Sequence, residues 1–351
     1  MHISTMENAA HALQGRTLKS GWLVSEKITK NDNATGSFFS VCYKVEKGNE
    51  ICFLKAFDFV KFLSIKTEGK TAIDVMSDMI EAFKYERDLS NYCKNKHVTK
   101  VSFVKEAGEE EINGFNFGTV PYLIFDLAEG DVRSKLDFSK NLEIAWRLRS
   151  IHNVAVGLKQ LHYIEVSHQD LKPSNILVFA NSSKIGDLGR SVAKSLNAPH
   201  KDYVFCGDWS YAPPELMYNY FEKDWKRRVF ATDCYLLGSL IVFYFSGVSM
   251  NALLTKYLKP NHKLPNWSGT FEEVKGYLLE AFSKALIEFS SSLPNQLKDE
   301  LRLLIEWLCH PIPEMRGHPK NIQNNIDQFN LERIVSKLNI LARKAEVFVN
   351  S

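Results

Sequence analysis

Within eight consecutive residues, His168-Gln169-Asp170-Leu171-Lys172-Pro173-Ser174-Asn175, the chain gathers a carboxylate, an ammonium and an amide, and Asp187-Leu188-Gly189 adds a second carboxylate twelve residues on. Transfer of a phosphoryl group to a hydroxyl asks for this set: the acceptor must be held in line, and metal and cationic groups must absorb the charge on the phosphate oxygens. Asp170 has the chemistry to orient a hydroxyl and accept its proton. Lys172 can neutralise a γ-phosphate, and Asn175 with Asp187 can hold Mg²⁺ through hard oxygen ligands. Between these ligands, the run from Ile176 to Phe179 and the pair Lys184-Ile185 predict a short hairpin that sets their separation.

The run resembles the catalytic loop of the eukaryotic-type (Hanks) protein kinases, usually His-Arg-Asp-Leu-Lys-Pro-x-Asn, followed by Asp-Phe-Gly. Further motifs resemble the same family in the same order. Tyr211-Ala212-Pro213-Pro214-Glu215 is similar to the Ala-Pro-Glu that closes the activation segment. Arg316 falls where the family has that glutamate's buried partner, and a buried carboxylate without one costs several kcal/mol. Thr232-Asp233 resembles the start of the central helix of the lower lobe, whose aspartate caps the catalytic-loop backbone. Upstream, Phe53-Leu54-Lys55-Ala56-Phe57 reads as an apolar strand with one internal lysine, an odd place for a charge unless an anion meets it. The resemblance makes Lys55 the phosphate-binding lysine and Glu86 its ion-pair partner, with Glu81 as the second candidate. Residues 120–131 look like the fifth strand and hinge. They imply Phe125 at the gatekeeper position, the backbones of Asp126 and Ala128 for the adenine edge, and Asp131 for the ribose. Gly36, Val41 and Leu177 complete the implied nucleotide contacts.

The resemblance, which spans about residues 21–325, implies an α+β, two-lobed fold: a small lobe with an antiparallel sheet and one main helix, and a larger, mostly helical lobe. Residues 1–20 read as an N-terminal extension, 21–128 as the upper lobe and hinge, 129–330 as the lower lobe and 331–351 as a C-terminal helix. The implied function is ATP-dependent, Mg²⁺-assisted transfer of the γ-phosphate to a serine or threonine of a protein substrate, since Lys172 follows the base as in the serine/threonine version of the loop. Two alternatives stand beside it. One is a pseudokinase, a catalytically silent binding module with an impaired nucleotide site. The other is a small-molecule phosphotransferase, against which the segment from Tyr211 to Glu215 and Arg316 argue.

Several positions depart from the family pattern. The glycine-rich loop is here Ala34-Thr35-Gly36-Ser37-Phe38-Phe39-Ser40-Val41, with Gly36 alone of three glycines, and Phe39 cannot approach a phosphate as closely as glycine does. Phe53 stands where an alanine usually roofs the adenine, so its ring either competes with the base or turns into the lobe's core, or the strand register shifts. Gln169 replaces an arginine that pairs with a phosphorylated residue, which implies activity without obligatory activation-loop phosphorylation. Asp208 replaces a threonine that bridges the catalytic aspartate and lysine; its carboxylate is expected to accept from Lys172 and repel Asp170. Leu188 for phenylalanine is an apolar exchange.

The 351 residues, 45% hydrophobic, suffice for two lobes' worth of core, and a net charge of +3 carries no nucleic-acid footprint. The six cysteines form no Cys-x-x-Cys spacing, consistent with buried reduced thiols in a cytoplasmic protein. No signal peptide or membrane span is expected: the apolar stretch 235–248 is too short and fits a buried helix. The basic cluster 225–228 reads as a solvated face. Residues 109–111 with Asn113-Gly114 predict a hairpin whose acidic run keeps a sheet edge soluble. Amphipathic helices are predicted at 142–161, 297–308 and 331–347. The last is expected to pack on its own lobe, with self-association as the alternative.

Overall fold

The computed structural model describes residues 8–29, 40–64, 71–115, 117–136, 144–324 and 326–349. The upper lobe is an antiparallel sheet of order β1-β2-β3-β5-β4, built from β1 (Leu23–Ile28), β2 (Ser40–Lys47), β3 (Glu50–Phe57), β4 (Val104–Glu111) and β5 (Thr119–Asp126). Side chains alternate across a strand, and β3 uses both faces. Cys52, Leu54 and Ala56 enter a core above the sheet, while Phe57 joins Leu123 and Met79 in a second core below it. Phe53 and Lys55 share that lower face, which looks into the cleft.

After a short helix α1 (Phe59–Ser64), the long helix α2 (Ala72–Asn95) runs beneath the sheet. A reciprocal capping box starts it: Thr71 accepts from the Asp74 N–H and Asp74 accepts from the Thr71 N–H. Its buried stripe includes Val75, Met79, Leu89 and Cys93, and the carboxylate of Glu86 lies among them. The hairpin between β4 and β5 forms as the turn residues predict, with Glu111 opposite Thr119. Its acids do more than keep an edge soluble, because Glu110 accepts from the Lys19 N–H at 2.5 Å and Glu106 from the Trp22 indole at 2.9 Å.

Lys19 belongs to the segment read as an extension, and residues 8–20 are in fact a lid on the upper core. Ala9, Ala10, Leu13 and Leu18 are buried there with Trp22, and the Tyr43 hydroxyl donates to the Ala10 carbonyl at 2.7 Å.

The chain crosses to the lower lobe at Glu129, whose N–H donates to the Val178 carbonyl at 2.8 Å. There β6 (Gly130–Asp131) pairs with β8 (Ile176–Phe179), which forms a hairpin with β9 (Ser182–Ile185). Around it lie α3 (Val132–Lys135), α4 (Ile144–Tyr163), α5 (Pro214–Met217), α6 (Trp225–Ser246), α7 (Met250–Tyr257), α8 (Phe271–Ser291), α9 (Lys298–Leu308) and α10 (Pro319–Gln323), while β7 (Val166–Ser167) pairs with β10 (Val192–Ala193). Helix α6 has the length and composition of a membrane span, but 83% of its most apolar window is buried inside the protein, as befits a central core helix. In the basic cluster at its start, Lys226 pairs with Asp327 at 2.7 Å and Arg227 with Glu222 at 3.7 Å.

The C-terminal helix α11 (Glu332–Val349) covers α4. Leu331, Ile334, Val335, Leu338 and Leu341 join the lower core, and Arg149 on α4 donates to Glu346 at 2.7 and 2.9 Å. The stripe packs on its own lobe, as expected.

Candidate active site

Between the lobes lies a cavity of about 710 Å³, bordered by Phe53, Lys55, Glu86, Phe125, Leu177 and Asp187, with Asp126, Ala128, Asp131 and Asn175 on its rim. That volume lies within the ordinary range for small-molecule sites. The structure brings most of the residues singled out in the sequence to this cleft. Gly36 and the rest of its loop up to Phe39 lie outside the described residues.

Lys55 reaches both oxygens of Glu86, at 3.0 and 2.9 Å, and Asp187 Oδ1 at 3.2 Å. Glu86 is its partner; Glu81 is exposed on the far side of α2. Burial works against the Lys55 ammonium, but Asp187 and Glu86 more than offset it and hold the pKa above the ordinary lysine value. Lys55 holds the Asp187 carboxyl down at about 2, so it is ionised at neutral pH, whereas burial pushes Glu86 upward against the pull of Lys55. Asp187 sits in the left-handed region at φ 54°, which aims its carboxylate back at the cleft. Gly189 allows this approach: a Cβ there would stand 3.2 Å from Glu86 Oε2 and 3.3 Å from Asp187 Oδ1.

Asp170 and Lys172 join the cavity through Asn175, whose Nδ2 donates to the Asp170 carbonyl at 2.8 Å and to Asp170 Oδ2 at 2.9 Å. Lys172 Nζ lies 3.2 Å from Asp170 Oδ2. The catalytic-loop backbone is tied down by Asp233 of α6, which accepts from the N–H groups of His168 and Gln169, both at 2.9 Å, and from Ser167 Oγ at 2.8 Å. Burial would raise the Asp233 pKa, but His162 and these donors hold it below the usual carboxylate value. His168 Nδ1 accepts from the Asp170 N–H at 3.3 Å, so Nε2 carries the hydrogen and donates to the Gly186 carbonyl at 3.0 Å. Further out, Glu215 and Arg316 meet in a fork of 2.7 and 2.8 Å, and Arg316 is fully buried.

The structure chooses among the alternatives at one position and changes two expectations. Phe53 is neither turned into the core nor moved by a register shift: it faces the cleft beside Lys55, its ring centroid 6.4 Å from that of Phe125, and the cavity remains open around it. Val41, expected at the nucleotide, packs into the upper core with Tyr43 and Val45; its strand shows the cleft Lys44, which pairs directly with Phe53. The period-2 pattern of β2 carried that signal once the facing strand was known. Asp208 does not set its carboxylate against Asp170. Its backbone N–H donates to Asp170 Oδ1 at 2.9 Å, while its side chain accepts from Ser210 and reaches Lys172 at 3.4 Å. At the ribose position, Asp131 Oδ1 is engaged in capping α3, accepting from the Ser134 N–H at 2.8 Å.

Among the described residues no group of three or more histidine, cysteine or acidic side chains forms a closed metal site. The donor set suits Mg²⁺ nonetheless: this ion is usually held by one or two protein oxygens together with phosphates and water. The ionised Asp187 and the Asn175 Oδ1 left over from its bonds to Asp170 supply such oxygens.

A sheet-roofed upper lobe, a helical lower lobe and these charged residues along the cleft define a protein-kinase-like molecule. Residues 54–325 match the protein kinase domain, so the chain belongs to that family; the match begins within β3, and the structure adds β1 and β2 to the same lobe. Similar proteins include an Aurora kinase of Debaryomyces hansenii, 29% identical over 42% of this chain and 36% of that protein. Aurora kinase B of Mus musculus is 25% identical over 56% and 51%, and mitogen-activated protein kinase 11 of Arabidopsis thaliana 32% identical over 36% and 33%. The matched stretches cover about a third to a half of these relatives' lengths.

Proposed function

We propose that the protein is a serine/threonine protein kinase that transfers the γ-phosphate of ATP to a protein hydroxyl. The observation that carries this reading is the double convergence at the cleft: Lys55 on Glu86 and Asp187, and Asn175 on Asp170 beside Lys172. In this reading Asp170 orients the acceptor hydroxyl and takes its proton, and Lys172 neutralises the transferred group. Lys55, steadied by Glu86, binds the nucleotide phosphates, and the backbones of Asp126 and Ala128 meet the base. Asn175 and Asp187 would hold Mg²⁺, which would draw off charge from the phosphate oxygens. The similarity to Aurora and mitogen-activated protein kinases supports a protein as the acceptor, and the buried thiols, none of them in a disulfide, support a reducing, cytoplasmic setting.

Activity without obligatory activation-loop phosphorylation is part of the reading. Gln169 is buried and donates to Ser167 Oγ at 2.7 Å and to the Val229 carbonyl at 3.1 Å. The purified protein with radiolabelled ATP and Mg²⁺ should label itself or a generic protein substrate, before and after phosphatase treatment. Asp170→Ala and Lys55→Ala should each abolish labelling; incorporation indifferent to both would refute the assignment.

One observation favours a second reading, a silent binding module: the Phe53 ring stands in the cleft. A nucleotide-free protein whose melting temperature does not move with ATP and Mg²⁺ would favour it.

A further inference from the structure

Ser191, four residues beyond Asp187, is fully buried, and its carbonyl receives two donors from distant parts of the chain. The Tyr85 hydroxyl of α2 donates to it at 2.9 Å and His200 Nε2 at 3.1 Å, which uses both of its lone pairs. The two rings meet edge to face with centroids 5.7 Å apart, and each residue is 6% exposed. On its other side, Ser191 Oγ donates to the His168 carbonyl at 3.3 Å, and His168 in turn donates to Gly186. One buried seryl residue therefore ties together α2, the segment after Asp187 and the catalytic loop.

We propose that Tyr85 and His200 are positioning residues that latch the start of the activation segment to α2 and so keep Glu86 on Lys55 without a charged anchor. The reasoning rests on the kinase reading above and adds a structural cause for its independence of phosphorylation. Tyr85 precedes Glu86 in the helix, and successive side chains leave a helix about 100° apart. A rotation of α2 that carried Glu86 away from Lys55 would also pull the Tyr85 hydroxyl off Ser191. His200 closes the loop from the other end: the Tyr203 N–H donates to its carbonyl at 3.0 Å, and Cys206 Sγ lies 3.5 Å from the same oxygen. The latch is uncharged and buried. Burial holds the His200 pKa below its ordinary value, and a neutral, buried contact is not screened by salt as an exposed ion pair is.

The test compares wild type with Tyr85→Phe, His200→Ala and His200→Gln, by amide hydrogen exchange in the nucleotide-free protein and by steady-state kinetics. Tyr85→Phe and His200→Ala should each speed exchange over residues 188–206 about tenfold, as loss of a buried partner implies, and leave α8 unchanged. The kcat should fall by a similar factor, with KM for ATP moving less than about twofold. His200→Gln keeps an N–H donor and should restore most of the protection. Unchanged exchange in Tyr85→Phe, or acceleration spread evenly through α8 as well, would overturn the latch. If the wild type transfers no phosphate at all, the kinase reading falls, while the exchange pattern still decides for or against the latch.

Discussion

Replacing Phe53 by alanine gives opposite results according to whether its ring supports a base or blocks it. The ring lines the cleft together with Leu177 and lies beside Phe125, and about 710 Å³ stays open with the ring in place. There is thus room for a base against the ring. An aromatic stack is worth about 0.5–1.5 kcal/mol beyond the area it buries. Its loss should weaken ATP binding about two- to twelvefold, at 1.4 kcal/mol per factor of ten. Phe53 is only half-buried, so truncation costs less stability than an excision from the core, and the variant should remain folded. Titration calorimetry with ATP and Mg²⁺ on wild type, Phe53→Ala and Phe53→Leu measures the effect, with leucine expected in between. Tighter binding by Phe53→Ala would refute the reasoning, because only a ring that occupies the base's own space improves the site by leaving it.

Arg316→Met should destabilise the protein by about 3–5 kcal/mol, measured as a lower urea midpoint, because it leaves Glu215 and the Ala231 and His310 carbonyls buried without their donor. Adding Glu215→Gln should recover part of the loss, and an unaltered midpoint in Arg316→Met would contradict the pairing. Asp208→Thr should raise kcat several-fold at constant KM for ATP: it removes the second carboxylate from Lys172 while retaining a cap for Ser210, and a fall in kcat would show that Asp208 assists Lys172. Stability should decline from pH 7 to pH 5. Burial depresses the pKa values of His152, His200 and His310, so below about pH 6.5 the unfolded chain binds protons that the fold refuses, and stability rises with pH across that window. His200→Gln should flatten the slope; a steeper one would reverse the sign of the argument.

What could be read from the chain and what could not follow from how local each constraint is. Asp170, Lys172 and Asn175 are neighbours in sequence, and the loop that presents them is short, so their grouping survives any detail of packing. Lys55 was readable because it interrupts an apolar strand, and a lone charge at a buried position needs an opposite one; Glu86, set among the charged Lys84, Arg87 and Asp88, was implied by the resemblance alone. Arg316 and Glu215 were implied by the resemblance too, and the need of a buried carboxylate for a partner joins them over a longer distance. Residues 8–20 gave no such cue: Leu13 and Leu18 follow neither the period of a helix nor that of a strand, and only the assembled sheet gives them a surface to cover.

Strand faces were the harder case, because sliding a strand by one residue exchanges every inward side chain for an outward one. Val41 and Lys44 illustrate this: the apolar residue suits a nucleotide site better by type, yet pairing of Lys44 with Phe53 turns the lysine to the cleft and buries the valine above the sheet. Asp208 was half legible: it accepts from Lys172 as expected, and only its relation to Asp170 differs. Side-chain chemistry alone sets two carboxylates against each other, but the backbone supplies its own N–H to Asp170 and swings the second carboxylate onto Ser210 and Lys172. Lys172 is left between two acids, closer to Asp170 at 3.2 Å than to Asp208 at 3.4 Å. The contest for that one ammonium makes Asp208 a position from which the rate of this site is open to adjustment.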